Sequence, residues 1–253
     1  MLGRLIGRQR WSWAAFGKHP ATKDYFQIQV ATPLAHAFSR WVEAGFGRMD
    51  ENDRRHRVCS WRFWSRGLKK GSMVGGLGRS SADGIGRPYP LVLLGEGTLR
   101  GWEEEWHLLP LLLAPMWDRL EYAAARRALE IHQLADDLGR MMAPKPEWKN
   151  LLNMAAVDSM GACMPVHKLI LSEMQVKAKM LAEEKKLIIP LDGTCGIDPM
   201  QMAGAWHQGL KPCLADPPST VFMGGSPDQS FLVFYTRPLV ADDFTELWTL
   251  QVN

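Results

Sequence analysis

Two loops in the first hundred residues combine carboxylates with cations, the mixture from which an acid–base or hydrolytic site can be built. One loop contains Lys18 and Asp24, and the other contains Asp83 and Arg87. Because a guanidinium can hold a carboxylate through paired hydrogen bonds, we expect Arg87 to pair with Asp83 or Asp24. An open cleft around Asp24, Asp83 and Arg87 would indicate a hydrolase or another small-molecule enzyme. Mutual ion pairing would instead indicate that these side chains organise the loops.

The glycine-rich segment between these loops carries no phosphate-binding motif. Residues 75–80 lack the Gly-Lys-Ser/Thr ending of a P-loop and its strand-to-helix context. A dinucleotide fingerprint beginning at Gly76 would need a glycine where Ser81 stands. Turn and hairpin geometry explains these glycines, and the sequence predicts no nucleotide cofactor.

Cysteine and histidine are spaced too irregularly to indicate a catalytic or metal site. Cys195 lies in a DGTCG segment that matches no nucleophile signature, and an enzyme using Cys195 or His207 is kept only as part of the alternative. Cys195, His207 and Cys213 lack the close pairing that preorganises tetrahedral zinc. We therefore predict no catalytic residue, no metal site and no cofactor.

The two polar loops need strands to position them. The apolar segment Trp11–Phe16 precedes the first loop and predicts a strand. Tyr89–Leu94 follows the second loop as a nearly continuous apolar run, which is typical of a strand buried on both faces. Between them the sequence predicts a helix opened by Thr32 and Pro33 and continuing to about Phe46, a charged loop over 48–57, and a hairpin formed by 58–65 and 72–78.

The rest of the chain changes from helical to strand patterns. Helical spacing of apolar residues occurs over 101–142, 148–160, 166–186, 199–209 and 238–250. Ile188 and Ile189 predict a short edge strand, and residues 219–223 and 231–235 predict a second hairpin. We expect the consecutive Glu103, Glu104 and Glu105 on a helix, where they would fan around the axis and form a solvated face.

These elements predict an α/β protein of the α+β type, with a mostly antiparallel sheet of about five or six strands flanked by helices. We distinguish an N-terminal sheet region over 1–100 and a helical elaboration over 101–215. A C-terminal hairpin and helix over 216–253 would complete the same domain. With 46% hydrophobic residues among 253, the chain can bury a sizeable core. Of the eleven tryptophans we expect most in that core and one or two on a partner surface.

Composition also bounds the location of the protein. The longest apolar stretch, residues 107–117, is broken by Pro110 and Pro115 and is too short for a spanning helix. The first residues are too interrupted by arginines for a signal sequence. Four scattered cysteines in a chain of this size indicate reduced thiols. We predict a cytoplasmic protein without a membrane span.

The net charge of +3 is unevenly distributed along the chain. Residues 1–100 contain 17 Lys and Arg against 7 Asp and Glu, which gives +10, and the remainder contains 13 against 20, which gives −7. The excess indicates either a basic face for an acidic partner or solvated charges that happen to cluster. Acids interleave with Arg54, Arg55 and Arg57, which argues against nucleic-acid binding.

Three motifs in this order resemble the TagF family, also called ImpM, of type VI secretion accessory proteins. The first motif supplies Gly17, Lys18, Pro20, Asp24 and, as an aromatic exchange, Tyr25. A predicted strand supplies Trp61, Arg62 and Phe63. The second loop supplies Asp83, Gly86, Arg87, Pro90 and Leu91, with Gly84 in place of a usual basic residue and Pro88 in place of a usual aromatic. The resemblance covers about the first hundred and the last forty residues and does not extend to the helical middle.

This resemblance implies a cytoplasmic, non-enzymatic negative regulator of type VI secretion. Such a regulator restrains assembly by acting on a forkhead-associated scaffold protein, in parallel with a kinase and a phosphatase. The family fold it implies is a layered arrangement similar to longin or roadblock modules. We expect the scaffold to contact the surface around the N-terminal motifs, where Arg48, Arg54, Arg55 and Arg57 would steer association. A homodimer is left open.

Overall fold

A computed structural model describes residues 11–126, 130–153, 164–192 and 198–251. Its strands are β1 Ser12–Gly17, β2 Phe26–Ile28, β3 Ser60–Arg66, β4 Ser72–Arg79, β5 Leu91–Thr98, β6 Lys186–Pro190, β7 Thr220–Gly225 and β8 Ser230–Tyr235. Its labelled helices are α1 Pro33–Arg48, α2 Glu51–His56, α3 Leu109–Ala125, α4 Ile131–Gly139, α5 Met164–Glu184, α6 Pro199–Leu210 and α7 Ala241–Thr249. Short 3₁₀ turns cover Trp106–Leu108 and Lys211–Cys213.

All eight strands form one sheet in the order β2-β1-β5-β4-β3-β7-β8-β6. Every neighbouring pair is antiparallel. The predicted hairpins are present, since β3 pairs with β4 and β7 pairs with β8. The two hairpins are joined side by side through β3 and β7, and residues far apart in the chain therefore share the centre of the sheet.

Each central strand contributes alternate side chains to two separate hydrophobic cores. In β5, Leu91 and Leu93 belong to one core, and Val92 and Leu94 belong to the other, as the apolar run predicted. Helices α1 and α7 cover the second face through residues such as Phe38 and Phe244, and their apolar stripes face the sheet. Helices α3 to α6 cover the first face. The molecule therefore has three layers, with the sheet in the middle.

The tryptophans behave largely as predicted. Nine of the eleven are buried, and Trp41 and Trp148 are partly exposed. Each of these two donates its indole N–H to a distant carbonyl, Trp41 to Val240 O at 2.8 Å and Trp148 to Arg100 O at 2.8 Å. These bonds tie the rims of the two helical layers to neighbouring segments.

Local sequence patterns predicted most of the helices and strands correctly. Thr32 caps α1 by accepting a hydrogen bond from Ala35 N at 3.1 Å, with Pro33 in the first turn. Ile188 and Ile189 lie in β6 at the sheet edge, as expected. The helix predicted from about Trp148 is present over 148–153, and its continuation lies outside the described residues.

Three predictions about the fold were wrong. Among the described residues the sheet has eight strands rather than five or six, because the three-residue β2 carries too short a pattern to be predicted and the predicted edge strand β6 also joins the sheet. Residues 48–57 are not all loop, since Asp50 caps the short helix α2 by accepting from Asp53 N at 2.8 Å. Glu103–Glu105 lie in turns before the first 3₁₀ segment rather than on a helix. The likeness to longin or roadblock modules stays a prediction.

Candidate functional site

The sheet brings the two polar loops together at one end. Antiparallel pairing places Gly17, the last residue of β1, opposite Leu91, the first residue of β5. The loop that leaves β1 and the loop that enters β5 must therefore emerge side by side. Gly84 N donates to Thr22 O at 2.7 Å, which joins the two loops directly through their backbones.

Two glycines shape these loops, one through close packing and one through its backbone turn. Gly17 has φ +122°, and a Cβ there would lie 1.9 Å from Pro90 O, which leaves no space for another side chain. Gly86 has φ +84° and closes the second loop, where its N–H donates to Asp83 O at 2.9 Å. Gly86 thus supplies a left-handed turn in this loop. Both glycines serve to place the charged side chains.

Lys18, Asp24, Asp83 and Arg87 form one ion-paired group, which we call the motif cluster. Asp83 lies at its centre, where its carboxylate accepts from Lys18 Nζ at 3.0 Å and from Arg87 Nε at 2.7 Å. Arg87 also reaches Asp24 at 3.2 Å and donates to Lys23 O at 2.8 Å. The predicted pairing of Arg87 is confirmed, and it involves both carboxylates.

Asp83 is held in its ionised form. Its side chain is fully buried, and it accepts further hydrogen bonds from Ile85 N at 3.2 Å and Arg87 N at 2.9 Å. Burial alone would raise the pKa of Asp83, but the hydrogen bonds from Arg87 and Lys18 outweigh it and hold the pKa far below its usual range. Asp24 is exposed, and its pKa is lowered chiefly by the hydrogen bond from Tyr25 N and also by Arg87.

This arrangement does not favour general-base chemistry at the motif cluster. A general base works best when its pKa lies near the operating pH, and Asp83 lies far below that range. Both Asp83 oxygens are also occupied by donors from within the chain. The motif cluster therefore fixes the two loops in one conformation. This is the loop-organising role that mutual ion pairing was expected to indicate.

The Trp-Arg-Phe motif on β3 serves both cores. Trp61 and Phe63 are buried beneath α1 and α7, whereas Arg62 points to the opposite face. Arg62 holds Glu121 through two hydrogen bonds of 2.7 and 2.9 Å and contacts Asp118 at 3.2 Å. These acids lie on α3, and Arg62 therefore fastens that helix to the sheet. Since Arg62 and Glu121 are 59 residues apart, no local pattern predicts the pair.

The other motif residues have structural positions. Pro90 and Leu91 are buried where β5 begins, and Pro20 is exposed on the first loop. The neighbouring His19 is buried as well, although its type and position gave no signal in the sequence. Its Nδ1 accepts from Ala21 N at 3.1 Å, and burial followed by the charge of Arg79 lowers its pKa.

Two members of the Cys195, His207 and Cys213 set, His207 and Cys213, lie within the described residues. Cys195 lies outside the described residues, and Cys213 is exposed. His207 is buried in the core, where its Nδ1 contacts Ala203 O at 2.7 Å and its Nε2 accepts from Trp64 Nε1 at 3.3 Å. Burial lowers its pKa to about 3, which fits a neutral packing residue. Among the described residues, no group of three or more His, Cys, Asp or Glu could hold a metal ion.

The fold and the motif cluster define a three-layered α/β protein in which the ion-paired group around the buried Asp83 is structural. The chain belongs to the family of the TagF N-terminal domain, type VI secretion system-associated, whose model matches residues 14–142. This match continues through α3 and α4, so the prediction that residues beyond 100 fall outside the resemblance was wrong for that part.

A solved structure supports the fold. The crystal structure of PA0076 from Pseudomonas aeruginosa PAO1 is similar with a TM-score of 0.52, over 96% of this chain and 96% of that chain, at 16% sequence identity. Likeness at this identity establishes the architecture. No curated protein matches the chain. Among the described residues, none of the helices combines the length and apolar character needed to cross a membrane.

Proposed function

We propose that this protein is a non-enzymatic accessory regulator of bacterial type VI secretion, which restrains assembly of the apparatus by binding a forkhead-associated scaffold protein. The observation that carries the proposal is the family match over residues 14–142, which includes both polar loops and the Trp-Arg-Phe strand. The motif residues act by shaping the binding module rather than by reacting with a substrate.

The geometry of the motif cluster supports a binding role over a hydrolytic one. A site that polarises a substrate needs unsatisfied donors or a base aimed at open space. Here Lys18, Asp83 and Arg87 satisfy one another, and Asp83 is fully buried. Rigid loops of this kind present a fixed surface and lower the ordering cost when a partner binds.

The test combines binding with a cellular measurement. Purified protein and purified scaffold from the same gene cluster are mixed in a calorimeter, and assembled secretion structures are counted in cells that lack or overproduce the protein. We expect a measurable complex, more assemblies in the deletion strain, and fewer on overproduction. The control is Gly47→Ala, an exposed α1 position where a Cβ would meet nothing within 4 Å.

Two results would contradict the proposal. One is the absence of a complex when both proteins are folded, which would remove the scaffold as partner. The other is an unchanged number of assemblies in the deletion strain, which would remove the restraining role while leaving the family membership intact.

A further inference from the structure

Helix α3 exposes a second apolar stripe on the side that faces away from the sheet. Its inner side buries Leu113, Trp117 and Leu120 in the core. Leu111, Pro115 and Tyr122 lie on the outer side at helical spacing, and the exposed fraction of Tyr122 is 69%. A surface helix usually has one apolar stripe, and a second one marks a surface that another molecule can cover.

The segment after α4 turns this stripe into a groove. Two adjoining cavities, of about 500 and about 310 Å³, lie along α3. They share Arg119 and Met142, and Met142 is 58% exposed. We call this feature the α3–α4 groove and define it by Leu111, Pro115, Arg119, Tyr122, Arg140, Met142 and Lys145. From Leu111 to Tyr122 it runs about 16 Å, at 1.5 Å per helical residue.

The charges around the groove are unbalanced once internal pairs are removed. Asp118 is bound by Arg62 at 3.2 Å, and Asp137 is bound by Arg126 at 2.8 Å. Within the described part of the chain, the side chains of Arg119, Arg140 and Lys145 have no hydrogen-bond or ion-pair partner. Against these three cations stand Glu147, which accepts from Asn150 at 3.3 Å, and one further negative charge, because Arg62 is shared between Asp118 and Glu121. The groove therefore presents apolar surface beneath excess positive charge.

The arginines near the N-terminal motifs, unlike the cations of the groove, have hydrogen-bond or ion-pair partners. Arg48 pairs with Asp242 at 2.5 Å, Arg55 pairs with Glu51, and Arg57 pairs with Asp53 at 2.9 Å. Arg54 donates to Gly47 O at 2.6 Å. Ion-paired charges steer a partner weakly, and of these four arginines only Arg54 has no carboxylate partner within the described residues, so the basic excess of the sequence does not by itself mark this surface as the interface.

We propose that the α3–α4 groove is the docking surface for an amphipathic helix of the partner protein, with an apolar stripe flanked by acidic residues. The groove length fits about three helical turns, and anchors at i, i+4 and i+7 would follow the exposed stripe of α3. Acidic flanks would meet Arg119, Arg140 and Lys145. This inference rests on the proposed function for the identity of the partner and names the surface that the partner uses.

The first experiment uses the purified scaffold from the same gene cluster. The double variant Arg119→Glu/Arg140→Glu is compared with Lys69→Glu/Lys70→Glu, an equal charge change on the exposed turn between β3 and β4. We expect the groove variant to weaken binding at least tenfold, chiefly through a slower association rate, and the control to change it less than twofold. Ile85→Glu tests the rival surface, because Ile85 is 73% exposed at the tip of the second polar loop.

The second experiment does not need the scaffold. A labelled synthetic peptide of about four helical turns, with leucines on one face and glutamates beside them, is titrated by fluorescence anisotropy. We expect saturable binding that Met142→Glu and the arginine double variant abolish. A peptide with lysines in place of the glutamates is expected not to bind.

The outcomes separate the two proposals. If the scaffold fails to bind wild-type protein but the acidic peptide binds in the groove, the proposed function fails and the groove inference stands. If the scaffold binds wild type and the groove variants equally, or only Ile85→Glu weakens it, the groove inference is overturned and the proposed function stands. Equal binding of the acidic and basic peptides also overturns the groove inference.

Discussion

The motif cluster and the α3–α4 groove use charge in opposite ways. In the motif cluster, Lys18 and Arg87 form ion pairs with Asp83, whose side chain is fully buried. In the groove, Arg119 and Arg140 have no partner among the described residues. The first arrangement fixes loops of the same chain, and the second is suited to recognise another chain.

The difference shows that a count of charges along a sequence is a poor guide to a binding surface. Residues 1–100 carry +10, yet Arg48, Arg55 and Arg57 are ion-paired within the chain. The following residues are acidic in sum, but their acids at Asp118 and Asp137 are bound by Arg62 and Arg126. Pairing across the fold therefore decides which charges remain available.

The largest effect should come from breaking the backbone frame that brings the two polar loops together. Gly17→Ala would place a Cβ 1.9 Å from Pro90 O at φ +122°, where both the space and the backbone conformation exclude a side chain. We expect a loss of about 4 kcal/mol or more in the free energy of unfolding, measured by chemical denaturation.

Gly47→Ala is the matched control for this substitution. Gly47 lies in α1 with no neighbour within 4 Å of an added Cβ, so alanine should stabilise the protein by about 0.5 to 1 kcal/mol. If Gly17→Ala were as stable as wild type, the close approach of β1 and β5 would not be the feature that holds the loops.

Acid gives a second way to sharpen the comparison, because Asp83 at the centre of the motif cluster stays ionised in mild acid. The folded pKa of Asp83 lies far below its unfolded value, so its contribution is kept above pH 4 and lost only below it. Burial lowers the pKa of His207 to about 3, so from pH 6.5 downward the unfolded chain binds a proton that the folded chain excludes. Stability should fall by about 1.4 kcal/mol per pH unit from this group between pH 6 and 4.

The check is the free energy of unfolding at a series of pH values for wild type and for His207→Gln. The variant should be less stable at pH 7, because it disturbs the contact with Trp64, but its slope below pH 6 should be smaller by about 1.4 kcal/mol per unit. An unchanged slope would show that another group, such as the buried His19, dominates acid unfolding.

Much of the fold could be predicted because its signals are local. The alternation in β5 and the Thr32 cap are both readable within a few residues. Helix α2 was missed because it buries no residue, although Asp50 and the i,i+4 pair of Arg57 with Asp53 were available as signals. The three-residue β2 had no such signal, since it is a strand only because β1 lies beside it.

The motif cluster could be predicted from the sequence, whereas the α3–α4 groove could not. Residue types alone indicated that Arg87 would pair with Asp83 or Asp24, since these are the two carboxylates in the two loops. The groove depends on which cations lack partners, and Asp118 beside it is bound by Arg62 of the neighbouring strand β3. Such a pair joins residues 56 positions apart, and no spacing rule finds it.

The smallest expected effect tests whether carboxylates of the same chain already offset the charges of the N-terminal arginines. Arg55→Glu would replace the exposed pair with Glu51 by two like charges four residues apart on α2, and such pairs change helix stability by only about 0.5 kcal/mol. Exposed pairs contribute little, and we therefore expect the free energy of unfolding to fall by no more than about 1 kcal/mol. Association with the scaffold should slow less than twofold, against at least tenfold for Arg119→Glu/Arg140→Glu, because Arg55 carries charge that Glu51 already offsets. The measurement is the association rate by surface-immobilised kinetics at two ionic strengths. A slowing by Arg55→Glu equal to that of the groove variant would place the interface beside the polar loops, and the contrast between paired and unpaired charge would no longer locate the partner.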